Sequence, residues 1–86
     1  MIKDKELDRL KEILKAYLVE EGYTEINDPF ATDMIIDASG ALQSSGEYTI
    51  RTTAQNADGA TVAFRLVPYE MSIYCENELV KRIEEN

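Results

Sequence analysis

Between residues 4 and 20 the apolar side chains recur with a helical period. Leu7, Leu10, Leu14, Tyr17 and Leu18 share one face, Ile13 lies at its margin, and charged side chains fill the other face. Asp8 with Lys11 and Glu12 with Lys15 place opposite charges three residues apart, which supports a helix. Gly22 follows as a C-terminal stop. The spacing predicts a helix over 4–20 whose leucine stripe faces a core.

A period of two takes over in the middle of the chain. Residues 47–55 and 60–67 read as two strands, separated by Asn56-Ala57-Asp58-Gly59. A two-residue loop at 57–58 would pair residue 54 with 61 and residue 50 with 65, setting apolar positions against polar ones. A four-residue loop makes the same mismatch. A three-residue loop, 57–59, with Gly59 left-handed, pairs Ala54 with Val62, Thr52 with Phe64 and Ile50 with Leu66. It keeps one face apolar, and that condition fixes a register. The other face then carries Thr49, Arg51, Thr53 and Gln55 from one strand and Thr61, Ala63 and Arg65 from its neighbour. Arg51 falls directly opposite Arg65, an unfavourable juxtaposition of like charge. No other base lies between residues 16 and 80. Either both pair with nearby carboxylates, such as Glu47 or the acids of 25–37, or they form a small anion-binding spot for a phosphate or a partner's carboxylate.

Two segments fit more than one period. Asn27-Asp28-Pro29 is a helix-start signal, with Asp28 as cap and Pro29 in the first turn. Ala31, Met34, Ile35 and Ala38 then fit one helical face, and Gly40 would end a short helix over 29–39. A short strand from Met34 to Asp37 is the rival, because so brief an apolar run does not decide the period. Residues 41–46 read as loop. Further on, residues 69–76 alternate well enough for a third strand, and also fit a helix continuous with the chain end. A two-stranded hairpin is marginal alone, which favours the strand. Leu79, Val80 and Ile83, with Asn77 as cap, predict a C-terminal helix over 77–85. The expected fold is a small α+β domain spanning residues 1–86. Its antiparallel sheet, built on the 47–67 hairpin, packs on an N-terminal and a C-terminal helix.

Eighty-six residues with 44% apolar and 30% charged side chains fit one small core and no deep cleft between lobes. No apolar run approaches the length of a membrane span. The charged N-terminal stretch lacks the apolar centre of a signal peptide. With one cysteine and no disulfide framework, a cytoplasmic location is the expectation.

The net charge of −8 is unevenly placed. Residues 1–19 hold five bases and four acids, and residues 20–86 hold four bases and thirteen acids. Glu20, Glu21, Glu25, Asp28, Asp33 and Asp37 fall in a stretch without a single base. Such a chain is repelled by nucleic acid and anionic lipid, whose phosphates need clustered cations. It is drawn to basic protein surfaces, although a charge of this size also simply keeps a small domain soluble.

The chemistry is restricted further by the absence of histidine. Ser-His-Asp and Cys-His arrangements cannot form within one chain. A zinc site would rest on carboxylates and Cys75 alone. Gly22, Gly40, Gly46 and Gly59 make neither a phosphate loop nor a dinucleotide fingerprint. A calcium loop begun at Asp37 would put Leu42 where glycine is needed and Tyr48 where glutamate is needed. Cys75 reads as a small buried hydrophobe. Of the five tyrosines, Tyr17 and Tyr48 are assigned to the core face, and Tyr23, Tyr69 and Tyr74 are candidates for a binding surface.

The expectation is a non-catalytic protein-binding module without a cofactor or metal. It would dock Glu20, Glu21, Glu25, Asp28, Asp33 and Asp37 on a partner protein with a basic surface. In its sharpest form it is an inhibitor that mimics nucleic acid. The alternative is an assembly subunit, a homo-oligomer formed through a helix or a sheet edge. Direct contact with nucleic acid or membrane is not expected.

Overall fold

The computed structural model describes residues 4–84. One helix, α1 (Asp4–Glu20), precedes five strands: β1 (Phe30–Ile36), β2 (Leu42–Gln55), β3 (Thr61–Val67), β4 (Ser72–Cys75) and β5 (Glu78–Arg82). The strands form one antiparallel meander in the order β1-β2-β3-β4-β5. The fold is α+β, with the helix on one face of the sheet.

The leucine stripe does what its period requires. Leu10, Leu14 and Leu18 are fully buried against Ile50, Ala54, Phe64, Leu66 and Ile73, and Leu7, Ile13 and Tyr17 pack around them. Each such leucine contributes about 1.5–3 kcal/mol relative to an exposed side chain. The β2–β3 register is the one that keeps a face apolar: Ile50 opposes Leu66, Thr52 opposes Phe64 and Ala54 opposes Val62. Gly59 takes φ +80° in the intervening turn. The Asn56 side-chain oxygen accepts from the Asp58 and Ala60 amides at 2.9 and 3.0 Å.

The segment read as a short helix over 29–39, with a strand from Met34 to Asp37 as the rival, is strand β1 and a tight turn. Thr32, Ile35 and Ile36 are β-branched and suit a strand, and β1 pairs along β2 from Phe30↔Arg51 to Ile36↔Leu42. Gly40 ends no helix. The Asp37 carboxylate accepts from the Ser39 and Ala41 amides at 2.9 and 3.0 Å, and Gly40 turns the chain at φ +86°. Asp28 caps no helix either, since strand β1 follows, and Asn27 is tied to β2: its side-chain amide nitrogen donates to the Thr53 hydroxyl at 2.6 Å, and its carbonyl accepts from the Thr52 hydroxyl at 2.6 Å. The connection before β1 is thereby pinned to β2, and Pro29 is buried beneath it.

Residues 41–46, read as loop, mostly belong to β2. The register shifts between Thr32↔Thr49 and Met34↔Ser44, so Asp33 faces a bulge over 45–48. Tyr48 is 38% exposed and does not pack with the core cluster, which overturns its assignment to the core.

The expected C-terminal helix over 77–85 is also replaced by a strand; residue 85 lies outside the described residues. Cys75 opposes Glu78 across a two-residue turn in which Glu76 takes φ +56°. Asn77 therefore sits in a hairpin and starts no helix. Backbone pairing to β4 and the Ile83 amide's 2.7 Å bond to the Met71 carbonyl hold β5. The third strand expected within 69–75 is β4.

Candidate functional site

The helix covers one face of the sheet and leaves the other open. Strand alternation decides which side chains line that open face. One row runs straight across it: Phe30 opposes Arg51, Arg51 opposes Arg65, and Arg65 opposes Tyr74. The row forms the floor of an open trough of about 670 Å³. Met34, Ile36 and Leu42 line one end, and Glu47, Tyr69 and Glu70 line another part.

The two arginines are held differently. Arg65 donates to the Glu76 carbonyl at 2.8 Å, and its guanidinium lies 4.5 Å from the centre of the Tyr74 ring. Arg51 donates through Nε to the Thr49 hydroxyl at 3.0 Å. Neither forms an ion pair with a described residue; the ion pairs at hand, Arg9–Glu6 and Lys15–Glu12, lie along α1. The expected pairing with Glu47 or the acids of 25–37 is not made. Each guanidinium has five N–H donors, so most of them remain available in the trough.

Glu47 and Glu70 shape the rim. The charge of Glu47 beside Tyr69 pushes that phenol above its ordinary range, with burial and Glu70 adding to the effect. The Tyr74 hydroxyl donates to Glu70 at 2.8 Å, and this bond raises the Tyr74 pKa. Tyr69 and Tyr74 both line the trough, as expected of surface tyrosines, whereas Tyr23 packs edge-on against Phe64 at 4.8 Å.

The outer half of the β1–β2 hairpin forms an arm beyond the part of the sheet packed on α1. Met34, Ile35 and Ile36 are exposed on β1, as is all of β2 from Leu42 to Tyr48. Ile36 and Leu42, a cross-strand pair, are 71% and 67% exposed. Met34 and Ile36 point to one face of the arm and Ile35 to the other, so apolar surface is uncovered on both.

The six acids singled out in the sequence do not share one place. Glu20 borders a depression between α1 and β5, Glu25 one beside the end of β2, and Asp28 one next to Phe30 and Arg51. Glu20, Glu21, Glu25 and Asp28 are exposed and form no ion pair with a described residue. Asp33 and Asp37 hold the arm together. Asp33 accepts from the Ser44 hydroxyl at 2.6 Å, and Asp37 accepts from Ser39, Ala41 and Gln43. These bonds, that of Ser39 foremost, hold the Asp37 carboxyl below its ordinary range.

Sequence reasoning placed Arg51 and Arg65 together and named Tyr74 as a surface candidate, but missed Phe30 and the arm. The signal for the arm was in the chain: Asp37-Ala38-Ser39-Gly40-Ala41 has the same turn chemistry as Asn56-Ala57-Asp58-Gly59-Ala60.

Among the described residues no group of three or more His, Cys, Asp or Glu side chains could hold a metal. Cys75 packs partly against the core, and burial, then Glu76 and Glu78, push its thiol up, away from the reactive thiolate. No helix among the described residues is long and apolar enough to cross a membrane. Comparison with known proteins places the chain in no family: no family model matches it, and neither a curated protein nor a solved structure does.

Proposed function

We propose that this chain is a non-catalytic protein-binding module that engages another protein through the β1–β2 arm and the trough beneath it. The observation that carries this reading is the arm, a two-stranded projection with apolar side chains uncovered on both faces. Contiguous exposed apolar surface marks interaction sites, and a partner laid on the arm would cover Ile36 and Leu42 together. The decisive measurement is calorimetric titration of a purified partner, first identified by capture on the full chain. Leu42→Asp lies at an exposed position and shifts stability by no more than about 0.5 kcal/mol. It is expected to weaken binding at least tenfold with the melting temperature unchanged. A partner that binds Leu42→Asp as tightly as the parent chain refutes the reading.

A second reading rests on a separate observation, the exposed carboxylates of Glu20, Glu21, Glu25 and Asp28, which form no ion pair with a described residue. In that reading they dock on a basic partner, as an inhibitor mimicking nucleic acid would. Changing these four to Gln or Asn would then weaken binding and flatten its salt dependence, while Leu42→Asp would leave it intact. Self-assembly is tested by light scattering. A dimer that forms with concentration and is lost in Leu42→Asp would assign the arm to a second copy of this chain.

A further inference from the structure

We propose that Arg51 and Arg65 form a carboxylate-binding site that takes a single acidic residue from an apolar segment of the partner protein. This rests on the reading that the open sheet face contacts a partner. Three observations support it. First, the two guanidinium groups are cross-strand neighbours, so their side chains start about 5 Å apart and can close on one oxyanion. Like charges so placed repel, and no described carboxylate neutralises them. An incoming anion removes that repulsion and gains charge-assisted hydrogen bonds. Second, Arg65 is held in place before any ligand arrives, by the Glu76 carbonyl and the Tyr74 ring. Third, the pair lies between Phe30 and Tyr74, and the same trough continues to Met34, Ile36 and Leu42. The surroundings of the anion are therefore apolar and aromatic.

Charge selects the class of ligand. Glu47 and Glu70 line the same trough, and the chain as a whole carries −8. A polyanion such as nucleic acid meets this field over its whole length, and a phosphate dianion is opposed by the two nearby acids. A lone carboxylate flanked by apolar side chains gains the fork-to-fork contact with arginine at the least repulsion.

The test uses the full chain and hexapeptides acetylated and amidated at their ends, with Leu and Phe flanking one Glu, Gln or phosphoserine. Binding is read from the Arg51 and Arg65 Nε–H resonances. The Glu peptide is expected to shift both signals and to bind at least tenfold more tightly than the Gln peptide. Arg51→Gln and Arg65→Gln should each weaken it by about 10- to 100-fold, and Arg51→Lys should restore only part of the loss, since ammonium lacks the fork. Equal binding of the Glu and Gln peptides overturns the proposal, as does the absence of any binding at about 1 mM. Tighter binding of phosphoserine overturns the choice of a carboxylate. These results are independent of the partner titration with Leu42→Asp, so failure of the anion site and failure of the protein-binding reading are told apart.

Discussion

Arg51 and Arg65 show how neighbouring residues of one type acquire different energetic roles. Arg51 contributes a single bond to Thr49, while Arg65 combines a carbonyl bond with a ring contact. Their mutual repulsion weakens the sheet. Arg51→Thr should therefore raise stability by about 0.2–1 kcal/mol, and Arg65→Thr should lower it by about 1 kcal/mol, through loss of the cation–π contact and hydrogen bond. Urea denaturation of both variants checks the sign, and equal effects would show that the ring contact contributes nothing. Asp37 gives a residue-scale prediction about pH. Its carboxyl is held below its ordinary range in the folded chain, so its contribution is present above the unfolded value and is lost as pH falls through the folded value. Protection of the arm amides in 34–36 and 42–44 should then fall more steeply below about pH 4 in the parent chain than in Asp37→Asn. Parallel curves would remove the proposed role of this carboxylate.

At the scale of elements, two hairpin turns with matching chemistry sit in different surroundings. Gly40 and Gly59 both adopt a left-handed φ, and a Cβ at either would meet nothing within 4 Å. Alanine there is penalised by backbone conformation alone, about 1–2 kcal/mol. Strands β2 and β3, joined by the Gly59 turn, bury Ile50, Ala54, Phe64 and Leu66. Gly59→Ala should therefore lower global stability by about that amount. The Gly40 turn closes an exposed arm whose opening is local. Gly40→Ala should accelerate amide exchange in 34–36 and 42–44 and leave the slowest core amides nearly unchanged. A global loss from Gly40→Ala equal to that from Gly59→Ala would show that the arm unfolds only with the core. The element comparison also explains the misread segments. Met34-Ile35-Ile36 and Leu79-Val80 are short apolar runs that a helix and a strand accommodate equally. Asn27, Asp28 and Asn77 belong to residue types that serve caps and turns alike.

For the whole molecule, one helix must close a five-stranded sheet. A chain of this length is stable by roughly 4–13 kcal/mol, and three fully buried leucines supply the contact between layers. Leu14→Ala should cost about 2–5 kcal/mol, enough to leave a sizeable unfolded fraction. Thermal melting checks this, and the thiol of Cys75 offers a second readout: its reaction with a disulfide reagent should accelerate in the variant as burial is lost. An unchanged melting temperature would mean that the helix is not required for the sheet. With α1 the single helix among the described residues, the sheet keeps an open face, and this asymmetry gives the molecule a trough where a second helix would have filled it.

The sequence alone determined the helix, the polarity of its faces and the register of the central hairpin. In each, a periodic pattern ran long enough that any other conformation or alignment would have buried charge or exposed leucine. It also placed Arg51 opposite Arg65, because register follows from keeping one face apolar. Tertiary structure decided β1, the β4–β5 hairpin, the exposure of Tyr48 and the place of Phe30 and Tyr74 beside the arginines. Those segments are short, and their conformation depends on backbone hydrogen bonds to the neighbouring strand, which their own apolar pattern does not specify. A local pattern carries no information about which strand will be there to accept them.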